Sequence, residues 1–254
     1  FGGKETQGNQ FAALSALAAK RLNRAVKFRP DRDEDMIMTG KRHDFLAEYE
    51  AGFDDDGQIL AVKANFAARC GFSADLSGPV TDRALFHADN AYYFPDVLLT
   101  SEPIKTNTVS NTAFRGFGGP QGLLGGERII EEIAYAVGVD PLEIRKRNLR
   151  RPGKPGYLGQ AVAPSERLDE MLAAAAADPL WRAPREAGAH EIVGVGMAMN
   201  YQGNGLGSMV SDPAGGRLRL TEEGLIEAAY GLDEMGQGLH TSIRAAVADQ
   251  LGCS

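Results

Sequence analysis

The chain has 254 residues, of which 43% are hydrophobic and 24% charged, so it can form one large domain or two modest ones. Its formal net charge of −7 comes from interspersed acids and bases without a basic stripe, which argues against nucleic acid as a partner. Two cysteines without a CxxC spacing, Cys70 and Cys253, exclude a disulfide framework and a thiolate-rich metal site and favour a reducing cytoplasm. No apolar run reaches the roughly 18 residues needed to span a bilayer, so no membrane span is predicted.

The first part of the sequence predicts a helix, a short strand and a loop. Apolar residues recur at helical spacing over residues 5–22, with Phe11, Leu14 and Leu17 on one face. The following AVKFRP predicts a strand that Pro30 closes. The charged run DRDEDMIMTGKRHD contains arginines that neutralise its acids and no histidine at ligand spacing, so it predicts a solvated loop rather than a metal site.

The remaining sequence alternates strand and helix signals. FLAEYEAGF and QILAVKANFAARC flank DDDG and predict an antiparallel hairpin. GLLGGERIIEEIAYAVGV predicts a helix, and Asp140, Pro141 and Glu143 supply the N-cap, first-turn proline and acid of the next one. EIVGVGMAMN and GRLRLTEEGLIEAAYG predict short strands, and DEMGQGLHT leads into a last helix. DPLWRAPREAG has the composition of a linker and predicts a domain boundary.

Three glycine-rich junctions each precede a predicted helix: FGGKE at residues 1–5, SNTAFRGFGGPQG at 110–122 and DEMGQGLHT at 233–241. Glycines let the backbone approach a ligand closely, and a helix N-terminus offers free N–H groups to an oxyanion or phosphate. In the second junction, Arg115 adds a planar, charged guanidinium and Phe117 adds an aromatic ring. The repetition indicates a large ligand with phosphate or oxo groups, although 31 glycines also allow some clustering by chance.

Arg83 and His87 flank an apolar pair in VTDRALFHADN. If this stretch is helical, the two residues share one face. A histidine in such a place is more often a satisfied core or surface residue than a catalyst, and such an arginine is more often a salt-bridge partner. The residues alone therefore leave their role open.

Six stretches occur in the order and spacing of a known family: FGGKE, RPDRDEDM, TGKRHDF, FAARCGFSADLSGPVTDRALFHADNAYYFP, KTNTVSNTAFRGFGGPQG and EMGQGLHT. They closely resemble the molybdenum-binding subunit of xanthine dehydrogenases, in the xanthine oxidase family of molybdenum hydroxylases. The resemblance covers most of residues 1–150 and again 230–242, and is weak between them. It implies an α+β fold with mixed and antiparallel sheets, with a first molybdenum cofactor-binding domain at 1–185 and the start of a second at 186–254.

The resemblance implies cofactor contacts in three places. Phe1 and Gly2 match residues beside the molybdenum centre, and Arg115 matches a residue adjacent to it. Phe1 and Arg115 would flank the metal without being side-chain ligands. The loop that contacts the pterin part of molybdopterin corresponds to Gly236, Gln237 and Gly238.

The resemblance also implies substrate contacts. Glu5 and Arg83 match the polar groups that hold a purine, and Phe117 matches the ring that packs on the flat heterocycle. A glutamate bonds purine N–H or enol groups, and a guanidinium stabilises negative charge developing on the ring oxygen. Since aldehyde oxidases usually replace these polar groups, the pair favours a purine. Met199 and Asn200 stand where the family commonly has a Phe-Thr pair, which leaves the exact substrate open.

The reaction implied is hydroxylation of a carbon next to a ring nitrogen of xanthine or hypoxanthine. The implied cofactor of this chain is molybdenum-molybdopterin, and Fe–S clusters and FAD on a partner subunit pass the electrons to NAD. The family's general-base glutamate matches no residue here, so no catalytic residue is assigned and a fragment of a hetero-oligomer is expected, inactive alone. Two alternatives stay open: a molybdenum hydroxylase for another N-heterocycle or an aldehyde, and a non-catalytic structural homologue that binds a partner subunit.

Overall fold

The computed structural model describes residues 6–162, 167–184, 186–203 and 213–253. They form, in chain order, α1 Gly8–Leu22, α2 Arg32–Met38, β1 Phe45–Phe53, β2 Ile59–Gly71, α3 Ser77–Phe86, β3 Asp96–Lys105, α4 Gly119–Val137, α5 Pro141–Asn148, α6 Leu168–Ala177, α7 Pro179–Arg182, β4 Gly216–Leu220, β5 Ile226–Tyr230 and α8 Leu239–Leu251. The strands make one mixed and one antiparallel sheet. The predicted α+β fold is confirmed.

The chain divides into two compact units, each built from separate stretches. We call the described residues of Phe1–Gly40, Ala113–Arg115 and Gly203–Ser254 the terminal unit, and those of Lys41–Thr112 and Gly116–Gln202 the central unit. The bounds of these units differ from the expected domain boundary at residue 185. That boundary stays a prediction.

In the terminal unit, the helix predicted at the start is confirmed as α1, which ends at a left-handed Asn23. The strand predicted at AVKFRP is wrong, because residues 25–30 form no strand. Phe28 instead stacks on Phe11 of α1, with ring centroids 5.1 Å apart and planes inclined by 16°. The stacking of these two rings, together with a proline that has no N–H to donate, outweighs the strand propensity of this segment.

The charged run predicted as a loop contains α2. Asp31 accepts a hydrogen bond from the backbone N–H of Glu34 at 2.8 Å, and the Glu34 carboxylate accepts one from the Asp31 N–H at 3.0 Å. This reciprocal capping box satisfies two free N–H groups at the helix start. Acids in the first turn also suit the positive end of the helix dipole. The spacing Asp-x-x-Glu was the signal for this helix.

The hairpin predicted at GRLRLTEEGLIEAAYG is confirmed as β4 and β5, which pair antiparallel. The Thr221 N–H donates to the Leu225 carbonyl at 2.8 Å, and the Gly224 N–H donates to the Thr221 carbonyl at 3.0 Å, which closes the turn. The last helix is confirmed as α8, and a left-handed Gly238 precedes it.

The central unit is built on a three-stranded sheet in the order β1-β2-β3. The predicted β1–β2 hairpin is confirmed, and Asp54 closes its turn by accepting hydrogen bonds from the N–H groups of Asp56 and Gln58. Strand β3 pairs parallel to β2. A parallel pair needs a crossover, and α3 provides it.

The main apolar core of the described residues lies in the central unit. Side chains of β2, α4 and α5 meet there, together with the segment that follows α3. Its largest fully buried apolar members are Tyr92, Phe66, Ile130, Ile133, Ile144 and Leu149. Asp140 caps α5 as predicted, by accepting a hydrogen bond from the Leu142 N–H at 2.7 Å.

The strand predicted at EIVGVGMAMN is wrong, because residues 191–200 form no strand. The Met199 N–H donates to the Glu127 carboxylate at 3.1 Å, and its carbonyl accepts from Asn90 Nδ2 at 2.9 Å. Side chains rather than a neighbouring strand therefore satisfy this backbone, which spacing along the sequence cannot indicate.

None of the helices within the described ranges combines the length and the apolar character needed to cross a bilayer.

Candidate functional site

Three of the residues to which the resemblance assigns roles, Phe1, Gly2 and Glu5, lie outside the described residues. Their roles stay predictions. The other residues fall into two groups, one in each unit.

In the central unit, three glycines of the α4 region lie directly against the backbone of the α3 region. A Cβ atom built on them would lie 2.0, 2.1 and 2.4 Å from a carbonyl oxygen. The three contacts join Gly118 to Val80, Gly122 to Ala84 and Gly126 to Ala88. Such distances leave no room for any side chain, so the glycines set the spacing between the two helices. We call this contact the glycine seam.

Phe117 stands on a turn of unusual backbone geometry at one end of the seam. The φ angles of Gly116, Phe117 and Gly118 are 94°, 53° and 100°, so three consecutive residues are left-handed. This conformation is costly for an aromatic residue and is tolerated where the surroundings determine it. The Gly119 N–H donates to the Gly116 carbonyl at 2.9 Å and closes the turn into α4. The predicted glycine-rich junction is confirmed as a helix start that presents a half-buried ring.

Arg83 lies half-buried on the last turn of α3, and burial lowers its pKa. The ring of His87 follows it one turn later, as predicted, and its Nδ1 lies 2.9 Å from the Arg83 carbonyl oxygen. A carbonyl only accepts, so Nδ1 carries the proton. Burial lowers the pKa of His87, and the charges of Arg83 and Arg150 lower it further. His87 is therefore neutral near pH 7, and its Nε2 is an acceptor.

Gln202 joins this group, although no sequence motif selects it. A Cβ atom on Gly119 would lie 3.3 Å from Gln202 Oε1 and 4.0 Å from a ring carbon of His87. We call Arg83, His87, Phe117 and Gln202 the seam site. Of the two residues expected in place of the family's Phe-Thr pair, Met199 is buried and Asn200 is exposed.

The second group lies in the terminal unit. Arg115 Nη1 donates to the Gly236 carbonyl at 3.0 Å, although 121 positions separate the two residues. The structure thus brings together two residues that the resemblance assigns to the cofactor. The Gln237 side chain folds into its own loop, where Nε2 donates to the Asp233 carbonyl at 2.7 Å and Oε1 accepts from the Met235 N–H at 2.5 Å.

Glu234 caps the N-terminus of α8. Its carboxylate accepts hydrogen bonds from the N–H groups of Gly236 at 2.7 Å, Gly238 at 3.2 Å and His240 at 3.3 Å. Desolvation raises the pKa of Glu234, but these N–H groups outweigh it, so the pKa lies below its usual value. Backbone donors of this loop thus converge on one pair of anionic oxygens. A phosphate could take these donors only by displacing the Glu234 carboxylate.

The comparisons with known proteins agree with this chemistry. A family model described as a molybdopterin cofactor-binding domain matches residues 1–149, and a second with the same description matches 170–254. Xanthine dehydrogenase of Drosophila subobscura is 39% identical over 267 residues, and that of Emericella nidulans 37% identical over 258 residues. Each match covers 99% of this chain and 19% of the relative, so the chain spans about a fifth of their length.

A solved structure of aldehyde oxidoreductase from Desulfovibrio gigas aligns with a TM-score of 0.60 and 29% identity, over 64% of this chain and 18% of that one. The resemblance seen in the sequence is confirmed. The chain belongs to the molybdopterin cofactor-binding domain family, and its cofactor is molybdenum-molybdopterin.

Proposed function

We propose that this chain is the molybdenum-binding part of a xanthine dehydrogenase-like enzyme. It would hydroxylate xanthine or hypoxanthine at a carbon next to a ring nitrogen. Fe–S clusters and FAD on a partner subunit would take the electrons to NAD. The observation that carries the proposal is the seam site, in which a desolvated guanidinium, Arg83, shares a packed helix pair with an aromatic ring on a left-handed turn, Phe117.

The residues of the terminal unit fit the cofactor. Gly236, Gln237 and Gly238 would contact the pterin, and Arg115 keeps that loop in place through the Gly236 carbonyl. When bound, molybdenum supplies Lewis-acid and two-electron redox chemistry.

Arg83 would act on the purine itself. Negative charge spreads over the purine and onto its exocyclic carbonyl oxygens while a ring carbon is attacked, and a guanidinium N–H stabilises that charge. Half-burial makes this interaction stronger than it would be in water. His87 is neutral, so it adds no second positive charge beside Arg83. Phe117 would pack on the flat ring, and Glu5 would bond the purine N–H groups.

The first experiment tests the enzyme as a whole. The full-length subunit, co-expressed with its Fe–S and FAD partner, should contain about one molybdenum per chain and reduce NAD with xanthine. A well-folded complex without molybdenum would favour the structural homologue and contradict the proposal. The two free cysteines are in keeping with a cytoplasmic enzyme, which cell fractionation would test.

The second experiment tests the role of Arg83. Arg83→Met should lower kcat/KM for xanthine by about 10²- to 10³-fold and leave the folded yield unchanged. The matched control is Arg128→Met on α4, which removes an exposed arginine in an ion pair with Glu132. Equal losses of activity and folded yield in Arg83→Met would mean that Arg83 is structural.

An aldehyde is the alternative substrate, because the solved relative named above is an aldehyde oxidoreductase. The same preparation should be tested with aldehydes and with other N-heterocycles. An aldehyde has no purine ring whose delocalised negative charge Arg83 could stabilise, so its turnover should survive Arg83→Met. Preferred turnover of aldehydes by the unaltered enzyme would replace the purine proposal.

A further inference from the structure

Glu127 of α4 is a buried carboxylate that bonds four other groups. Its Oε2 accepts from Arg145 Nε at 3.1 Å and Nη2 at 2.9 Å. Its Oε1 accepts from the Tyr92 hydroxyl at 2.5 Å, from Asn90 Nδ2 at 2.8 Å and from the Met199 N–H at 3.1 Å. Glu127 is 8% exposed and Arg145 is 3% exposed, so the network is shielded from water.

The two carboxylate oxygens of Glu127 bond different kinds of donor. Arg145 neutralises the buried charge through Oε2, which leaves Oε1 to collect neutral donors. Burial raises the pKa of Tyr92, and the neighbouring Glu127 charge raises it further, so the hydroxyl keeps its proton and donates. Every partner of Oε1 is therefore a fixed donor, and one of them is the backbone of a segment distant in sequence.

Asn90 extends the network along that segment. Its Nδ2 also donates to the Met199 carbonyl at 2.9 Å, and its Oδ1 accepts from the Tyr201 N–H at 2.9 Å. The Arg150 guanidinium lies 3.9 Å from the centroid of the Tyr201 ring and covers it. Two buried side chains, Asn90 and Glu127, thus bond both the N–H and the carbonyl of Met199. Asn90 also bonds the N–H of Tyr201.

The clamped backbone ends next to the seam site. Gln202 directly follows Tyr201, and its side-chain oxygen lies beside Gly119 and near His87. The position of Gln202 therefore depends on where the Met199 and Tyr201 backbone is held. The segment itself has no strand pairing to fix it.

We propose that Asn90 and Glu127 are positioning residues that clamp the segment Met199–Gln202 against α4, and that Gln202, placed by this clamp, determines specificity for heterocycles with polar ring edges. The amide of Gln202 can donate to a ring carbonyl or accept from a ring N–H. The role in specificity rests on the proposed function, whereas the clamp does not.

Asn90 offers a mild way to open the clamp. Its φ is 51°, a left-handed value that glycine adopts freely, so Asn90→Gly removes the side chain without straining the backbone. Asn23→Gly is the matched control, because Asn23 is also left-handed, at φ 48°, but caps α1 in the terminal unit. Both variants are made in the full-length subunit with its partner.

The first readout is backbone hydrogen exchange, which does not need activity. In Asn90→Gly the peptide spanning residues 197–203 should exchange at least tenfold faster, while the β1 peptide should not change. Asn23→Gly should leave both peptides unchanged. Unchanged exchange at 197–203 in Asn90→Gly would overturn the clamp.

The second readout is steady-state kinetics with xanthine. Asn90→Gly and Gln202→Ala should each raise KM about tenfold or more and change kcat much less, because a positioned binding contact is lost. Faster exchange with an unchanged KM would overturn the role of Gln202. If the unaltered enzyme ignores xanthine, the proposed function fails, and the exchange result alone decides the clamp.

Discussion

The central and terminal units hold their candidate residues by different physical means. Arg83 and Phe117 stand on helix ends whose backbones touch, within the unit that contains the main apolar core. In the terminal unit, no residue of α8 is buried and β4 is exposed along its length. The loop around Gly236 is held there by polar contacts, from Glu234 and Arg115. The proposed substrate contacts therefore depend on packing, and the proposed cofactor contacts on hydrogen bonds.

The largest effect is expected where packing is tightest. Gly122→Ala would place a methyl group 2.1 Å from the Ala84 carbonyl oxygen and force α3 and α4 apart, at a cost of about 3 kcal/mol or more. Gly78→Ala is the matched control, because it lies in α3 with nothing within 4 Å and should stabilise the helix by up to about 1 kcal/mol. Thermal and urea unfolding measure both. Similar midpoints for the two variants would contradict the glycine seam.

A smaller, pH-dependent effect is expected at Asp89, also in the central unit. Burial raises its pKa to about 7, although the Arg150 charge opposes the shift. The folded chain thus keeps a proton that the unfolded chain releases, so stability is fully present below about pH 4 and falls as the pH rises to 7. Asp89→Asn removes this loss and should stabilise the protein at pH 8 by about 1 to 3 kcal/mol.

The measurement is the unfolding midpoint of Asp89→Asn and of the unaltered protein between pH 4 and pH 8. The difference in unfolding midpoint between the two proteins should vanish as the pH falls towards 4. Asp96→Asn, an exposed carboxylate of β3, serves as the control. A gap that stays constant with pH would show that titration of Asp89 is not its cause.

The smallest effect is expected in the terminal unit, where Glu234 bonds backbone N–H groups two to six positions away. Glu234→Gln replaces a charged cap of α8 with a neutral one, so the N–H groups of Gly236 and Gly238 should exchange several-fold faster. The central-unit amides should not change. Because the pKa of Glu234 is lowered, its contribution is present above its usual value of 4.5 and is lost as the pH falls below it. An effect that spreads to β2 would contradict a local role for Glu234.

The sequence predicts the elements whose signals are local. The β1–β2 hairpin follows from its turn residues, and the start of α5 follows from Asp140 and Pro141. Segments whose backbone is satisfied by distant groups are predicted wrongly, as at residues 191–200, where Glu127 and Asn90 replace a strand partner. The capping box of α2 was also a local signal, but the many charged residues around it led to the prediction of a loop.

The candidate site follows the same rule. The shared face of Arg83 and His87 is a matter of helical spacing, and the sequence predicts it. The contact between Arg115 and Gly236 spans 121 positions, and the sequence predicts only, through the resemblance, that both residues lie at the cofactor. Gln202 reaches the seam site through the fold alone, since no spacing relates it to Arg83. The glycines at 118, 122 and 126 repeat every fourth residue, and this repeat was the available signal for the seam.

The glycine seam also limits how the site can change. Because α4 rests on main-chain carbonyls of α3, the distance between the two helices is set by atoms that every amino acid shares. Replacing side chains of α3 changes the surroundings of Arg83 but does not change that distance. Variation in substrate preference is therefore expected in the groups that line the site, such as Gln202, while the distance between the two helices stays constant.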